Sequence, residues 1–186
     1  LPPELFYGRR DELEDIGDKY GSCIIYGGRQ LGKTALLHQL KFTKHDPGKG
    51  NIVSIIDLKI KGYGRIHLKK DFWHLVAMQL KQDGVDGIPI ADEVEFRVIE
   101  RYLKQWLKAK DSRSIILLID EADYLIKEDK LEDYLLCSLL KGLIEETDRR
   151  FKVVLSGLHD VQRTTVSNNP LAHLGRSICI GSFMSS

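Results

Sequence analysis

The chain has few of the features that mark membrane, secreted or disordered proteins. Its 186 residues include three cysteines and five prolines. No apolar run approaches the roughly 18 residues of a membrane-spanning helix, and no signal peptide is visible. The chain begins with Leu1 rather than Met, which suggests a fragment or a processed form. With 42% hydrophobic and 30% charged residues, the composition predicts a soluble globular domain with a substantial core.

The cysteines are too few and too scattered for a disulfide framework or a zinc site. Cys23, Cys137 and Cys179 are odd in number, form no C-x-x-C motif, and lie in apolar runs. Such residues are usually buried, reduced thiols. We therefore expect three buried thiols in a cytoplasmic protein.

The charge balance shows no excess of either sign. Lys and Arg total 28 against 27 Asp and Glu, a net charge of +1, so the whole chain has no electrostatic reason to bind nucleic acid. Local basic clusters are interpreted as solvated faces. They are Lys69-Lys70, Lys104 with Lys108 and Lys110, and Arg149-Arg150 with Lys152.

A glycine-rich segment matches a phosphate-binding loop. The residues Gly27-Gly28-Arg29-Gln30-Leu31-Gly32-Lys33-Thr34 fit G-x-x-x-x-G-K-[ST] at every fixed position, and an apolar run precedes them while a helical pattern follows from Ala35. Glycines let backbone N–H groups turn toward phosphate oxygens. In this motif the lysine, Lys33, reaches the β- and γ-phosphates, and the hydroxyl of Thr34 ligates Mg²⁺. We expect residues 27–35 to contact the phosphates.

A second motif supplies acidic groups. The run from Ser114 to Ile119 is apolar at successive positions and ends in Asp120 and Glu121. Successive apolar residues indicate a strand buried on both faces of a parallel sheet. Acids at the carboxyl end of such a strand lie where α/β sheets bind ligands. We expect Asp120 to hold Mg²⁺ and Glu121 to polarise an attacking water molecule.

Strands and helices alternate along the chain, which predicts an α/β fold with a parallel sheet and helices on both faces. The predicted strands are Ser22–Tyr26, Ile52–Asp57, Ser114–Ile119, Lys152–Ser156 and Ser177–Ile180. The predicted helices are Arg10–Lys19, Thr34–Phe42, Asp71–Lys81, Glu93–Lys108, Leu131–Thr147 and a weaker Leu158–Ser167, with one more turn between Pro170 and Gly175.

Helical spacing also predicts which side chains enter the core. In the fourth predicted helix these are Ile99, Tyr102, Leu103 and Trp106, after a start signal at Asp92 and Glu95. In the fifth they are Leu135, Leu139 and Leu143, after a start signal at Asp129 and Glu132. Tyr124-Leu125-Ile126 is interpreted as a loop or turn.

The motifs together resemble a known family. Phe6-Tyr7-Gly8-Arg9 with Glu12-Leu13, the phosphate-binding loop, Leu117-Leu118-Ile119-Asp120-Glu121-Ala122 and Val153-Val154-Leu155-Ser156-Gly157 are similar to those of P-loop ATPases of the AAA or STAND type. The resemblance covers about Leu5 to Phe183. It implies a three-layer sandwich whose five-stranded sheet has the order 5-1-4-3-2. It also implies one core domain over residues 1–183, a short tail at 184–186, and a C-terminal lid outside this sequence.

The resemblance assigns further site residues. It places Phe6, Tyr7, Gly8 and Arg9 in the adenine pocket, and Ser156 at the catalytic sensor position after the fourth strand. His159 and Asp160 are alternatives for that sensor. An arginine finger is expected from a neighbouring subunit or domain, with Arg163 and Arg176 as weak candidates within the chain.

The sequence thus predicts an ATPase that binds Mg²⁺-ATP, hydrolyses it slowly, and uses it to drive conformational change or assembly with a protein partner or a second copy. A regulatory switch with little turnover and a DNA-loading initiator-like ATPase remain alternatives. Two further motifs are chance matches. Asp120-Glu121-Ala122-Asp123 spells a DEAD box, but 186 residues cannot hold a second RecA-like domain. Thr43-Lys44-His45-Asp46 spells a guanine-binding motif, but it directly follows the helix that leaves the phosphate-binding loop, whereas the guanine motif belongs after a later strand.

Overall fold

The computed structural model describes residues 9–21, 23–28, 30–58, 68–91, 95–157, 170 and 176–181. Its helices are α1 (Arg10–Gly17), α2 (Lys33–Lys44), α3 (Leu68–Gln82), α4 (Phe96–Lys108), α5 (Asp123–Lys130) and α6 (Leu135–Glu146). Its strands are β1 (Ile24–Tyr26), β2 (Asn51–Asp57), β3 (Ser114–Asp120), β4 (Phe151–Gly157) and β5 (Ser177–Cys179). None of the helices in these ranges is long and apolar enough to cross a membrane.

The strands form one parallel sheet in the order β2-β3-β4-β1-β5. Read from the other edge, this is the order 5-1-4-3-2 that the family resemblance implied, so the predicted topology is confirmed. Strand β4 lies at the centre and is buried at all positions from Phe151 to Gly157. Helices connect β1 to β2, β2 to β3 and β3 to β4, as crossovers between parallel strands require.

Helices cover both faces of the sheet. On one face, α1 and α2 pack through Ile16, Leu36, Leu37 and Leu40 against alternate residues of the strands. On the other face, α3, α4, α5 and α6 enclose a larger apolar cluster that contains Phe72, Leu103 and Phe151. Burial on both faces explains why β3 is apolar at successive positions rather than alternate ones.

The single helix predicted over Leu131–Thr147 is wrong at its start. The helix of this region, α6, begins only at Leu135. A separate helix, α5, precedes it and contains Tyr124-Leu125-Ile126, interpreted as a loop. Leu125 and Ile126 are buried in the core, and residues 131–134 form the turn before α6. Asp129 does cap the start of this helix, but the helix begins further along the chain than predicted. The Asp129 carboxylate accepts the backbone N–H groups of Leu136 and Cys137 at 2.8 and 2.9 Å.

The buried face of α6 also differs from the prediction. Leu143 is buried, but Leu135 is half exposed and Leu139 is only partly buried. The core side chains are instead Cys137, Leu140, Leu143 and Ile144. Steps of four residues turn by more than one helical turn, so the predicted series drifts off the face that the sheet contacts. In α4, Ile99 and Leu103 are buried as predicted, with Tyr102 and Trp106 packed at the margin.

The prediction of three buried thiols is wrong for Cys179. Cys23 and Cys137 are buried, whereas Cys179 is exposed. It lies in the three-residue edge strand β5, where alternate side chains face away from the core. The predicted helix over Leu158–Ser167 and most of the predicted turn between Pro170 and Gly175 lie outside the described residues.

Candidate active site at the carboxyl edge of the sheet

The predicted loop and acids lie at one edge of the sheet. The loop leaves the carboxyl end of β1, and Asp120 is the last residue of β3. Ile119 aligns with Leu155, and Ile25 aligns with Ser156. Parallel pairing therefore brings the start of the loop, Asp120 and Ser156 together on adjacent strands. This edge is where open α/β sheets place their ligand sites.

The loop requires glycine at two positions. A Cβ atom added to Gly27 would lie 2.4 Å from the carbonyl oxygen of Ile180, because the chain leaving β5 passes directly over the loop. There, the N–H of Ile180 donates to the backbone carbonyl oxygen of Tyr26 at 2.7 Å. Gly32 precedes α2 with φ at +83°, a conformation that side chains disfavour. The loop thus turns the chain from β1 into the N-terminus of α2, where backbone N–H groups attract anions.

Lys33 lies back across this loop. Its ammonium group donates to the carbonyl oxygens of Gly27 and Gly28, at 2.8 Å each. These carbonyls are therefore directed toward the lysine. A phosphate oxygen that replaced either carbonyl would form a stronger, charge-assisted bond with the same donor.

Asp120 collects three donors from separate parts of the site. Its Oδ2 accepts the hydroxyl of Thr34 at 2.6 Å. Its Oδ1 accepts the hydroxyl of Ser156 at 2.9 Å and the backbone N–H of Glu121 at 3.0 Å. Asp120 is only 3% exposed, so these contacts fix its orientation. The Thr34 contact joins the first turn of α2 to the end of β3.

Glu121 has an unusual backbone conformation. Its φ is +54°, which is uncommon for a residue with a side chain and is often retained at functional sites. The chain then turns so that the N–H of Ala122 donates to the backbone carbonyl oxygen of Ser156 at 2.8 Å. This turn leaves Glu121 half-buried at the edge of the sheet, next to Asp120.

Arg9, which the resemblance places in the adenine pocket, contacts the loop and the chain after β5. Its side chain is 5% exposed, and its guanidinium donates to the carbonyl oxygens of Leu31 at 3.3 Å and Gly181 at 2.8 Å. These two bonds join the loop to the chain just after β5. No local pattern signals this contact, since Gly181 is 172 residues away along the chain.

Three other predicted site residues lie in the described part of the chain. Gln30 and Leu31 lie in the loop, where Gln30 has φ at +60°, and Ala35 lies in the first turn of α2. The remaining predicted residues lie outside the described ranges: Phe6, Tyr7, Gly8, Arg29, His159, Asp160 and Arg163.

The described finger candidate, Arg176, is exposed and precedes β5. Ser177, the first residue of β5, aligns with Ile24, the first residue of β1. Arg176 is therefore at the amino edge of the sheet, opposite to Asp120. This position does not suit an arginine that reaches the site of its own chain.

The ligand atoms suit a magnesium nucleotide. Thr34 and Asp120 supply hydroxyl and carboxylate oxygens, the hard donors that Mg²⁺ prefers, and they are already 2.6 Å apart. Thr34 is exposed, so a ligand can approach its hydroxyl. Among the described residues, no atom lies within 4 Å of a Cβ added to Gly32, so they leave open space beside the loop.

Similarity to solved structures shows the fold. The chain is similar to a Walker-type ATPase of Pyrococcus abyssi, with a TM-score of 0.61 and 17% identity over 95% of this chain and 54% of the other. It is similar to the ORC2 protein of Aeropyrum pernix in its ADPNP-ADP complexes, with a TM-score of 0.61 and 15% identity over 97% and 49%. It is also similar to Drosophila ORC bound to DNA, with a TM-score of 0.60 and 20% identity over 95% of this chain and 43% of the other. The chain thus spans about half the length of these structures.

Sequence comparison identifies the family. A search of curated proteins gave no match. The family model of the AAA domain matches residues 16–164, a range that includes the loop, both acids and Ser156. Together with the confirmed strand order and the arrangement of these residues at one edge of the sheet, this match shows that the chain belongs to the AAA domain family of P-loop ATPases.

Proposed function

We propose that this domain binds Mg²⁺-ATP at the carboxyl edge of its sheet and hydrolyses it. The single observation that carries the proposal is the 2.6 Å contact between Thr34 and Asp120. It brings together a hydroxyl from the phosphate-binding loop and a buried carboxylate from the neighbouring acidic motif. A glycine-rich turn or an acidic strand end can each occur without a ligand, but their contact provides the two oxygens that a magnesium nucleotide needs.

The loop and α2 would bind the phosphates. Backbone N–H groups at the start of α2 and the positive end of its dipole favour the anion. Lys33 would exchange its contacts with the Gly27 and Gly28 carbonyls for phosphate oxygens. Since the lysine already lies over the loop, it needs only a local change of side-chain conformation.

Thr34 and Asp120 would hold Mg²⁺, which neutralises phosphate charge when it is bound. Ser156 would act on this pair through Asp120, because its buried hydroxyl donates to Oδ1. That contact leaves Oδ2 directed toward Thr34. In the predicted sensor position, Ser156 would therefore act mainly by orienting the carboxylate of Asp120.

Glu121 would accept a proton from the attacking water. It directly follows Asp120 in the chain, and its positive φ sets the direction in which the side chain leaves the strand. A positioned general base contributes about 10²–10⁴ in rate. Asp120 is less suited to this role, since three donors already occupy its oxygens.

We propose adenine rather than guanine as the base, because the only guanine-like motif, Thr43–Asp46, spans the end of α2 and the turn after it. That segment is far from the loop along α2. A competition assay measures this preference: ADP should displace a fluorescent ATP analogue at lower concentration than GTP. Displacement by GTP at a tenth of the ADP concentration would overturn the proposal.

We also propose that the isolated chain turns over slowly. Arg176 is at the opposite edge of the sheet, and an arginine from a partner typically contributes about 10³–10⁵ in rate. Phosphate release per molecule should therefore rise with protein concentration or in a longer chain. Fast turnover that does not depend on concentration would contradict this and would direct attention to Arg163.

Two related functions use the same site. A nucleotide-dependent switch would bind ATP and show phosphate release no faster than the Glu121→Gln variant. An initiator-like ATPase is supported by the likeness to ORC proteins, and a longer chain would then bind DNA more tightly with ATP than with ADP.

The direct test of hydrolysis is phosphate release from ATP with Mg²⁺ and with excess chelator. The proposed function predicts release that requires the metal and that is lost in Thr34→Val, which removes the hydroxyl but keeps the shape. The matched control is Thr43→Val, an exposed threonine at the end of α2. Equal rates in all three proteins would contradict the proposal.

A further inference from the structure

The residue that brings the end of β5 to the phosphate-binding loop is Arg9. Its guanidinium donates to the Leu31 oxygen inside the loop and to the Gly181 oxygen just after β5. The side chain is 5% exposed and lies 4.0 Å from Glu12 in the first turn of α1. Three segments that are distant in sequence therefore meet at one buried cation.

The orientation of the Leu31 carbonyl matters for anion binding. A loop that binds phosphate through its N–H groups must direct its carbonyl oxygens away from the anion. Two cations hold carbonyls of this loop. Lys33 contacts those of Gly27 and Gly28, and Arg9 contacts that of Leu31. If Lys33 moves to phosphate, its two contacts are lost, whereas the contact of Arg9 is made to a different carbonyl and can persist.

The contact of Arg9 with the Gly181 carbonyl links the path of the loop to the chain after β5. Gly181 follows Ile180, whose N–H donates to Tyr26 and whose carbonyl passes so close to Gly27 that a Cβ would not fit. The position of Ile180–Gly181 and the path of the loop are therefore mutually dependent. Arg9 closes this arrangement, because it binds both segments at once.

We infer that Arg9 is a positioning residue that preorganises the phosphate-binding loop and couples it to the chain leaving β5. It acts through the Leu31 and Gly181 carbonyls rather than by contact with the nucleotide. Because coupling between two sites is reciprocal, occupation of the loop should also stabilise the docking of Ile180–Gly181. The part of this inference that concerns nucleotide rests on the proposed function, while the coupling between loop and β5 does not.

The substitution that tests the inference is Arg9→Met, which keeps an unbranched apolar stem but removes the donors. Its matched control is Arg10→Met, since Arg10 is the next residue and is exposed. Amide hydrogen exchange is measured by NMR without nucleotide at three positions. Ile180 reports the end of β5, and Leu36, which donates to Gly32, reports the loop exit. Leu155, which donates to Cys23 between β4 and β1, is the internal reference.

The inference predicts that Arg9→Met accelerates exchange at Ile180 and Leu36 by about tenfold relative to Leu155, since bonds from a charged donor contribute on that scale. Arg10→Met should leave all three unchanged, and Arg9→Lys should restore part of the protection. Unchanged exchange at Ile180 and Leu36 would overturn the inference. So would equal acceleration at all three amides, which would mean that Arg9 contributes only to global stability.

A nucleotide titration separates this inference from the alternative that Arg9 contacts the nucleotide directly. Direct contact predicts weaker binding of a non-hydrolysable ATP analogue with no change of exchange in the free protein. Positioning predicts both effects together. If the wild type binds no nucleotide, the proposed function fails, but the exchange measurement still decides whether Arg9 couples the loop to β5.

Discussion

The amino and carboxyl edges of the central sheet are built from the same strands, but their polar groups differ. At the amino edge, the Ser114 hydroxyl donates to the Asn51 side chain at 3.0 Å. The buried Thr147 hydroxyl donates to the Leu143 oxygen at 2.7 Å and accepts the N–H of Phe151 at 3.2 Å. These contacts are neutral and satisfy strand and helix ends, as structural positions require.

At the carboxyl edge, charged groups meet at the phosphate-binding loop, whereas the buried Lys152 near the start of β4 donates to the carbonyl oxygens of Ile16 and Asp18 in and after α1. Asp120 is buried with three donors, Lys33 lies on loop carbonyls, and Glu121 has a positive φ. Burying a carboxylate stabilises a fold less than filling the space with an apolar side chain of similar size. The proposed function therefore predicts that substitutions at the amino edge change stability, whereas substitutions at the carboxyl edge change ligand binding and hydrolysis.

The largest effect is expected from Glu121→Gln. The amide keeps the size of the side chain but cannot accept the proton of water, so hydrolysis should fall by about 10²–10⁴ while nucleotide binding remains. The control is Glu145→Gln, an exposed glutamate of α6. Phosphate release and calorimetry measure the two properties. Hydrolysis at the wild-type rate would assign the base to another residue.

A smaller but broader effect is expected from Asp120→Asn. An amide has one acceptor oxygen, so it cannot accept both Thr34 and Ser156 as the carboxylate does. Analogue binding should lose most of its dependence on Mg²⁺, and turnover should fall as well. Asp57→Asn is the control, since Asp57 aligns with Asp120 on β2. Equal metal dependence in both variants would contradict the assignment of Asp120.

At the amino edge, Thr147→Val should change stability and leave the ligand site intact. The substitution removes the donor to Leu143 and leaves the N–H of Phe151 without its acceptor. We expect the free energy of unfolding to fall by about 1–2 kcal/mol, as measured by urea denaturation, with unchanged analogue affinity. Thr43→Val, whose hydroxyl makes a similar contact at an exposed site, should cost less. A loss of affinity in Thr147→Val would remove the separation between the edges.

The smallest effect is expected between the two edges, at Ser54 of β2. Its hydroxyl is fully buried and has no hydrogen-bond partner among the described residues. Ser54→Ala removes this unpaired group and should raise the free energy of unfolding by about 1 kcal/mol. Urea denaturation measures this change as well, and a lower midpoint would show that the hydroxyl is satisfied in solution.

Much of the fold could be predicted because it depends on local patterns. The successive apolar residues of β3 and the glycine-rich loop after β1 identify their elements without tertiary information. The boundary between α5 and α6 could not be predicted this way. Leu125 and Ile126 are helical because the core buries them, and the carboxylate of Asp129 reaches past a turn to Cys137.

The site was predictable as residues but not as contacts. The motifs identified Lys33, Thr34, Asp120 and Glu121, whereas the bond from Ser156 to Asp120 depends on the register of β3 and β4. The position of Arg9 depends on the chain after β5, which no spacing rule connects to residue 9. Long-range contacts of this kind are set by packing rather than by local sequence.

The central claim is that the carboxyl edge binds a nucleotide through its phosphate-binding loop. The most direct measurement is a calorimetric titration of a non-hydrolysable ATP analogue with Mg²⁺ into the wild type, Lys33→Ala and the control Lys44→Ala, an exposed lysine at the end of α2. Loss of a charge-assisted phosphate contact should weaken binding by about 1.5–3 kcal/mol in Lys33→Ala alone. Equal affinity in all three proteins would contradict the claim.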